Sequence, residues 1–217
     1  MSTQLTAAHS GTASSPAAPT PPQTGPIGLI RRHPLISFFT LANLLSWAAW
    51  LPYILSENGL GVWAFRYPDL LGGGQLLGVL PGAYLGPITA ALLVTAIVDG
   101  RGGLRAWGKR LWHWKVAPRW YAITLLGVPA ATLLTGLAFS GGQIAAPSVA
   151  ALLMYVPVLL FQMVTTGLAE EPGWRGFALP HLQASNTAWR ASWILGIAWG
   201  MWHVPFTVYF NRDDPML

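Results

Sequence analysis

The chain has 217 residues, of which 9% are charged and 53% are apolar, and its formal net charge is +5. A soluble domain carries about 25% charged residues, so this composition excludes a soluble globular protein and indicates a membrane protein. The chain contains no cysteine, which excludes disulfides and thiolate metal sites. Because the basic residues lie between apolar segments, we expect membrane lipid as a partner and no nucleic acid.

Five apolar stretches follow a tail that has no charged side chain. Residues 1–26 are rich in Ala, Ser, Thr and Pro and are predicted to be disordered. A spanning helix needs about 20 mostly apolar residues. The stretches that qualify are roughly Leu35–Leu55, Leu76–Val98, Trp120–Ser140, Val149–Leu168 and Ser192–Phe210. We therefore predict an all-α, polytopic membrane helix bundle of about five transmembrane helices over residues 27–217.

The distribution of basic residues predicts an orientation. Of the 12 Lys and Arg residues, two precede the first stretch, six lie between the second and third, and two lie between the fourth and fifth. Lys and Arg are retained in the cytoplasm during insertion, so we expect a cytoplasmic N-terminus, in a bacterial cell membrane. The basic segment Gly103–Trp114 also contains Leu and Trp. It is either a helix along the lipid surface or an ordinary loop.

Two adjacent carboxylates, Glu170 and Glu171, lie just after the fourth apolar stretch. If the helix ends at Leu168, the pair caps it in water, although negative charge there opposes the helix dipole. If the helix continues, neighbours point about 100° apart, so only one glutamate faces a given pocket. Glu171 can then form a buried pair with Arg175, four residues later, which leaves Glu170 free as a base. Pro172 disturbs a helix interior, so a turn is the alternative.

His203 lies inside the fifth stretch. Ionisable residues within a membrane usually line a site or a pathway. A His and a Glu on adjacent helices could activate a water molecule or supply part of a metal site. His181, beside Pro180, is predicted to lie on the surface of a loop.

Two short motifs resemble those of a known family. Glu170-Glu171-Pro-Gly-Trp-Arg175, followed by Gly-Phe, and Trp199-Gly-Met-Trp-His203 are similar to the motifs of the CPBP intramembrane proteases. That family includes the CAAX prenyl endopeptidases and the Abi, or bacteriocin-immunity-like, proteins. The resemblance implies a metalloprotease that hydrolyses a peptide or protein substrate at the membrane. It implies that Glu170 activates water and that Glu171, Arg175 and His203 belong to the catalytic site. It also implies a divalent metal such as Zn²⁺, with no ligand assigned.

One feature of the family has no counterpart in this sequence. The family carries HxxxN or HxxxD on a later span, which supplies a second catalytic His. No such motif follows His203, so we interpret the chain as truncated at its C-terminus and expect weak or no turnover from residues 1–217 alone. The alternative function is a non-catalytic membrane protein of the bacteriocin-immunity or scaffolding type. A transporter is disfavoured because the first three stretches carry no charge.

Overall fold

Helices form the regular structure of this protein. The structure is a computed structural model, and it describes residues 25–69, 75–143 and 148–210. No strand occurs within these ranges. The predicted disordered tail lies outside the described residues, except for Gly25 and Pro26. The prediction of an all-α membrane bundle is confirmed.

Eleven α-helices occur in the described ranges. The first five are α1 (Pro26–Arg32), α2 (Pro34–Leu55), α3 (Gln75–Leu85), α4 (Pro87–Val98) and α5 (Gly100–Leu111). The others are α6 (Pro118–Ala122), α7 (Val128–Phe139), α8 (Val149–Gln162), α9 (Leu168–Gly173), α10 (Leu179–Gln183) and α11 (Ala188–Phe210). The basic segment Gly103–Trp114 is therefore helical over most of its length, so the ordinary loop is wrong. Its position along the lipid surface stays a prediction.

Three π-helical segments connect these helices without a break. Ile123–Gly127 joins α6 to α7, Met163–Gly167 joins α8 to α9, and Trp174–Ala178 joins α9 to α10. The first and third of them end two residues before a proline, Pro129 and Pro180. Proline lacks an N–H and its ring clashes with the carbonyl four residues earlier, and a wider π turn relieves that clash.

The fourth helical region extends farther than the sequence predicts. Helix runs from Val149 to Gln183, past Pro157, Pro172 and Pro180, and includes two of the π segments. The expected end near Leu168 is therefore wrong, and so are the turn at Pro172 and the loop that was predicted after it. Glu170 and Glu171 lie inside a continuous helix.

Four helical regions are long and apolar enough to cross a membrane. They are Pro34–Leu55, Leu76–Val98, Pro118–Phe139 and Val149–Gln183, and they confirm the first four predicted stretches. Helix α11 has 23 residues but is not among these candidates. Its Trp side chains, together with His203 and Arg190, lower its mean hydropathy. A fifth span therefore stays a prediction.

Aromatic side chains build the core where α2 meets α11 and the segment that follows α9. Phe38 packs edge-on against Trp174 with ring centroids 5.4 Å apart, and Trp50 packs against Trp202 at 4.9 Å. Trp174 and Trp202 meet at 5.8 Å, which connects α11 to the segment after α9. The core thus fixes α11 beside the helix that carries Glu170.

Helices α6, α7 and α8 lie outside this core. None of their residues is buried, although their sequences are strongly apolar. Tyr155 on α8 donates a hydrogen bond to the Leu125 carbonyl at 3.4 Å, so the two regions touch each other. An apolar exposed surface of this kind is expected where lipid surrounds a helix.

Candidate active site

Glu170 is a nearly buried carboxylate on α9. Its side chain is 6% exposed, and the indole Nε1 of Trp199 donates a hydrogen bond to Oε2 at 2.8 Å. A hydrogen bond to an ionised group is about twice as strong as a neutral one, so Trp199 fixes this side chain. Oε1 has no hydrogen-bond partner within the described ranges, and it can accept one from water or a substrate.

His203 lies one helical turn after Trp199 on α11. Its Nδ1 is 2.9 Å from the Trp199 carbonyl oxygen. A carbonyl only accepts hydrogen bonds, so this contact requires the proton on Nδ1. In the neutral imidazole, Nε2 then presents a lone pair. Trp199 thus orients both ionisable residues: its indole contacts Glu170 and its carbonyl contacts His203.

Glu170 and His203 line one cavity of about 210 Å³ between the helices. Three uncharged polar side chains on the same wall as Glu170, those of Gln162, Thr165 and Thr166, also line it. The rest of the lining is apolar and comes from α2, α3, α8 and α11. A water molecule needs a space of about 10–15 Å³ and two to four polar partners, so this cavity can hold water beside the two ionisable groups.

Glu171 and Arg175 form an ion pair, as their spacing predicts. Arg175 Nη1 is 3.0 Å from Glu171 Oε1. The pair lines a separate groove together with Arg110 and Trp112, and not the cavity of Glu170. The side chains are 42% and 52% exposed, so the expectation of a buried pair is wrong. The Arg175 guanidinium also lies 4.9 Å from the ring centre of Trp199.

Two further cavity residues, Gln162 and Thr166, and the neighbouring Trp199 have a signal in the sequence. Thr166 and Gln162 precede Glu170 by four and eight residues, so helical periodicity places them on its face. Trp199 precedes His203 by four residues in the same way. In the sequence, Trp199 is distinguished only as the aromatic position of a motif, because its contact with Glu170 depends on how two helices pack.

His181 lies apart from this cavity. It is half-buried on α10, where its Nδ1 is 2.7 Å from the Phe177 carbonyl oxygen and its ring stacks on Phe177 at 4.2 Å. The prediction of a surface residue in a loop is therefore wrong. The π turn before Pro180 keeps this segment helical and turns His181 towards Phe177.

A zinc site normally has at least three protein ligands. Within the described ranges, no three His, Cys, Asp or Glu side chains are grouped closely enough to hold a metal ion. Glu170 and His203 supply two candidate ligands. Trp199 already forms a hydrogen bond with one atom of each, Glu170 Oε2 and His203 Nδ1. These residues alone do not fit a zinc site, so the Zn²⁺ implied by the resemblance stays a prediction.

The fold and the cavity define a polytopic helical membrane protein with a Glu–Trp–His cluster between its helices. A family model described as "Type II CAAX prenyl endopeptidase Rce1-like" matches residues 152–212, which include the whole cluster. A curated relative, CAAX prenyl protease 2 from Methanococcus maripaludis, is 36% identical over 89 residues. Over this region the chain is similar to CAAX proteases of the CPBP family.

The similarity covers part of each protein. The alignment with the curated relative includes 41% of this chain and 30% of the relative. No solved structure matches the chain.

Proposed function

We propose that this chain is an intramembrane endopeptidase in which Glu170 and His203 activate a water molecule for hydrolysis of a peptide bond. The observation that carries the proposal is that these two side chains line the same cavity, inside a helix bundle that is otherwise poor in charge. Burying an ionisable residue at mid-bilayer costs about 2.5–3.5 kcal/mol on insertion scales, so a structural role alone explains such a pair poorly.

Glu170 is the general base of the proposed reaction. Its free oxygen removes a proton from water, and the resulting hydroxide forms a bond to the peptide carbonyl carbon. When the tetrahedral intermediate collapses, the C–N bond breaks and the protonated Glu170 returns the proton to the leaving amine. The Trp199 indole holds the other carboxylate oxygen, which keeps the reacting oxygen directed at the cavity.

His203 acts at the opposite side of the water molecule. With its proton on Nδ1, the neutral ring accepts a hydrogen bond from the water at Nε2 and orients the attacking lone pair. When the ring is protonated, Nε2–H donates to the carbonyl oxygen and stabilises the negative charge that develops there. In the proposed site, Glu171 and Arg175 support the fold of the Glu170 helix and take no part in proton transfer.

The proposed substrate is the C-terminal peptide of a membrane-attached protein. The curated relative is named a CAAX prenyl protease, and by analogy we propose cleavage after a prenylated cysteine. The cavity supports this choice, because its lining is mostly apolar and its polar groups converge on one wall. A divalent metal, if one takes part, requires ligands beyond Glu170 and His203.

The test is hydrolysis of a farnesylated peptide by the full chain reconstituted in phospholipid vesicles. General-base catalysis contributes about 10²–10⁴-fold. Glu170→Gln is therefore expected to lower the rate at least 100-fold, with unchanged folded yield because glutamine still accepts from Trp199. His203→Ala is expected to lower it similarly. Adding a chelator to the wild type tests whether a divalent metal takes part in the reaction.

Glu57→Gln is the matched control, since Glu57 lies in the loop after α2 and contacts Arg66 at 3.6 Å. It should retain the wild-type rate. Full activity in Glu170→Gln would disprove the proposed mechanism. A wild-type chain without turnover would be the outcome both for an immunity or scaffolding protein and for an enzyme that needs a second His like that of the family's HxxxN or HxxxD motif.

A further inference from the structure

Helix α5 lies at one face of the membrane because the helices on either side of it are candidate spans. One residue separates it from Leu76–Val98, and six residues separate its end from Pro118–Phe139. A helix that connects the same ends of two adjacent spans must lie near the boundary between lipid and water. Trp112 and Trp114, which follow it, are 83% and 68% exposed, and Trp favours that boundary.

One face of α5 is fixed to the helix that carries the site. Trp107 is 6% exposed, and its Nε1 donates a hydrogen bond to the Pro172 carbonyl at 3.1 Å. Arg110 Nη2 donates to the Gly176 carbonyl at 3.4 Å. These bonds determine the rotation of α5 about its axis, and they determine which side chains point away from the protein.

The opposite face of α5 carries three exposed cations. Arg101, Arg105 and Lys109 recur every four residues, so they follow one another along a single stripe of the helix. No acidic residue occurs between Gly100 and Trp120. The ion pairs found in the described ranges, Glu57–Arg66 and Glu171–Arg175, do not involve this helix.

Charges from neighbouring elements do not neutralise the stripe. The nearest carboxylate in sequence is Asp99, which precedes the helix and is a single exposed group beside three cations. Arg31 on α1 donates through Nε to the Ile97 carbonyl at 3.1 Å, so further positive charge lies at the same end of α4. The protein therefore presents a concentrated positive surface at the level of the lipid headgroups.

We infer that α5 binds the headgroups of anionic phospholipids through Arg101, Arg105 and Lys109. Charge complementarity and location favour this partner, because the stripe lies where headgroup phosphates are and the exposed Trp side chains flank it. Basic residues near an anionic membrane surface each contribute to binding. Since Trp107 and Arg110 bond α5 to the Glu170-bearing helix, the lipid contact also anchors that helix at the membrane surface.

The experiment is a lipid titration of the full chain in an uncharged detergent, with bound lipid counted by native mass spectrometry. The probes are phosphatidylglycerol, phosphatidylcholine, inorganic phosphate and a single-stranded oligonucleotide. Phosphatidylglycerol is expected to bind at least fivefold more tightly than phosphatidylcholine, which corresponds to about 1 kcal/mol. High salt should remove this preference, because salt screens exposed charges.

The variant Arg101→Gln/Arg105→Gln/Lys109→Gln is expected to lose at least fivefold in affinity for phosphatidylglycerol. The charge-conserving variant Arg101→Lys/Arg105→Lys/Lys109→Arg and the distant Arg66→Gln should both bind as the wild type does. The inference fails if the wild type shows no preference for phosphatidylglycerol or if the preference survives high salt. It also fails if phosphate or the oligonucleotide binds equally well. These measurements do not depend on peptidase activity, so they separate this inference from the proposed function.

Discussion

Two adjacent glutamates have different environments because a helix turns by about 100° between neighbours. Glu170 is nearly buried and faces the cavity. Glu171 is half-exposed and forms an ion pair with Arg175 in the separate groove that Arg110 also lines. The difference between them therefore follows from geometry: one carboxylate lines the cavity and the other is paired with a cation.

Arg175 is expected to contribute more to stability than its ion pair with Glu171 alone. An exposed pair is worth about 0–1 kcal/mol, and a cation–π contact at an exposed site about 0.5–1 kcal/mol. Arg175→Ala removes both contacts and should cost about 1–2 kcal/mol, whereas Glu171→Gln should cost under about 1 kcal/mol. Thermal unfolding in detergent measures the difference. Equal losses in the two variants would show that the contact with Trp199 adds nothing.

At the scale of helices, α9, which carries Glu170, crosses α4 at Gly173. A Cβ built on Gly173 would lie 2.6 Å from the Pro87 Cβ and 2.6 Å from the Pro87 carbonyl oxygen. The Pro87 backbone cannot move as a flexible side chain can. The close approach of α9 and α4, which places Glu170 against the cavity, therefore requires glycine at this position.

Gly173→Ala is accordingly expected to destabilise the protein by about 1–3 kcal/mol, the usual cost of overpacking. Gly196→Ala is the matched control, because Gly196 also lies within a helix and no atom beyond the adjacent backbone of that helix lies within 4 Å of its built Cβ. That change should be neutral or stabilising by up to about 1 kcal/mol, since alanine favours helix. Equal unfolding temperatures for the two variants would contradict the close helix crossing.

At the scale of the whole molecule, basic residues from distant parts of the sequence gather at one end of the bundle. The hydrogen bond from Arg31 to Ile97 joins α1 to the end of α4, and that from Arg110 to Gly176 joins α5 to the segment after α9. This end is the one that we propose to be cytoplasmic. A bacterial cell membrane as its location stays a prediction.

The orientation gives a direct test. With a cytoplasmic N-terminus and α11 as a fifth span, reporters fused after Gly141 and after Pro215 should both report the outside. If α11 does not cross, the reporter after Pro215 should report the cytoplasm while the one after Gly141 does not change. A cytoplasmic signal after Gly141 would contradict the predicted orientation as a whole.

Much of this arrangement could be predicted from short-range patterns. Apolar stretches of about 20 residues predict spans because a bilayer has a fixed thickness, and four of the five stretches are candidate spans in the structure. The pair between Glu171 and Arg175 follows from helical spacing, which is a local property. Glu170 and His203 could be identified as candidate site residues because ionisable residues are rare in apolar segments.

Contacts between distant residues were decided only by the tertiary structure. The helix continues past Pro172 to Gln183, which local propensity does not predict, so the expected end near Leu168 is wrong. The contact of Trp199 with Glu170 joins residues 29 positions apart and arises from the packing of α11 against α2 and α10. Composition and spacing thus determined which residues can carry charge in the membrane. Packing of whole helices decided which of them face one another, because a sequence pattern fixes the face of a helix but not its neighbour.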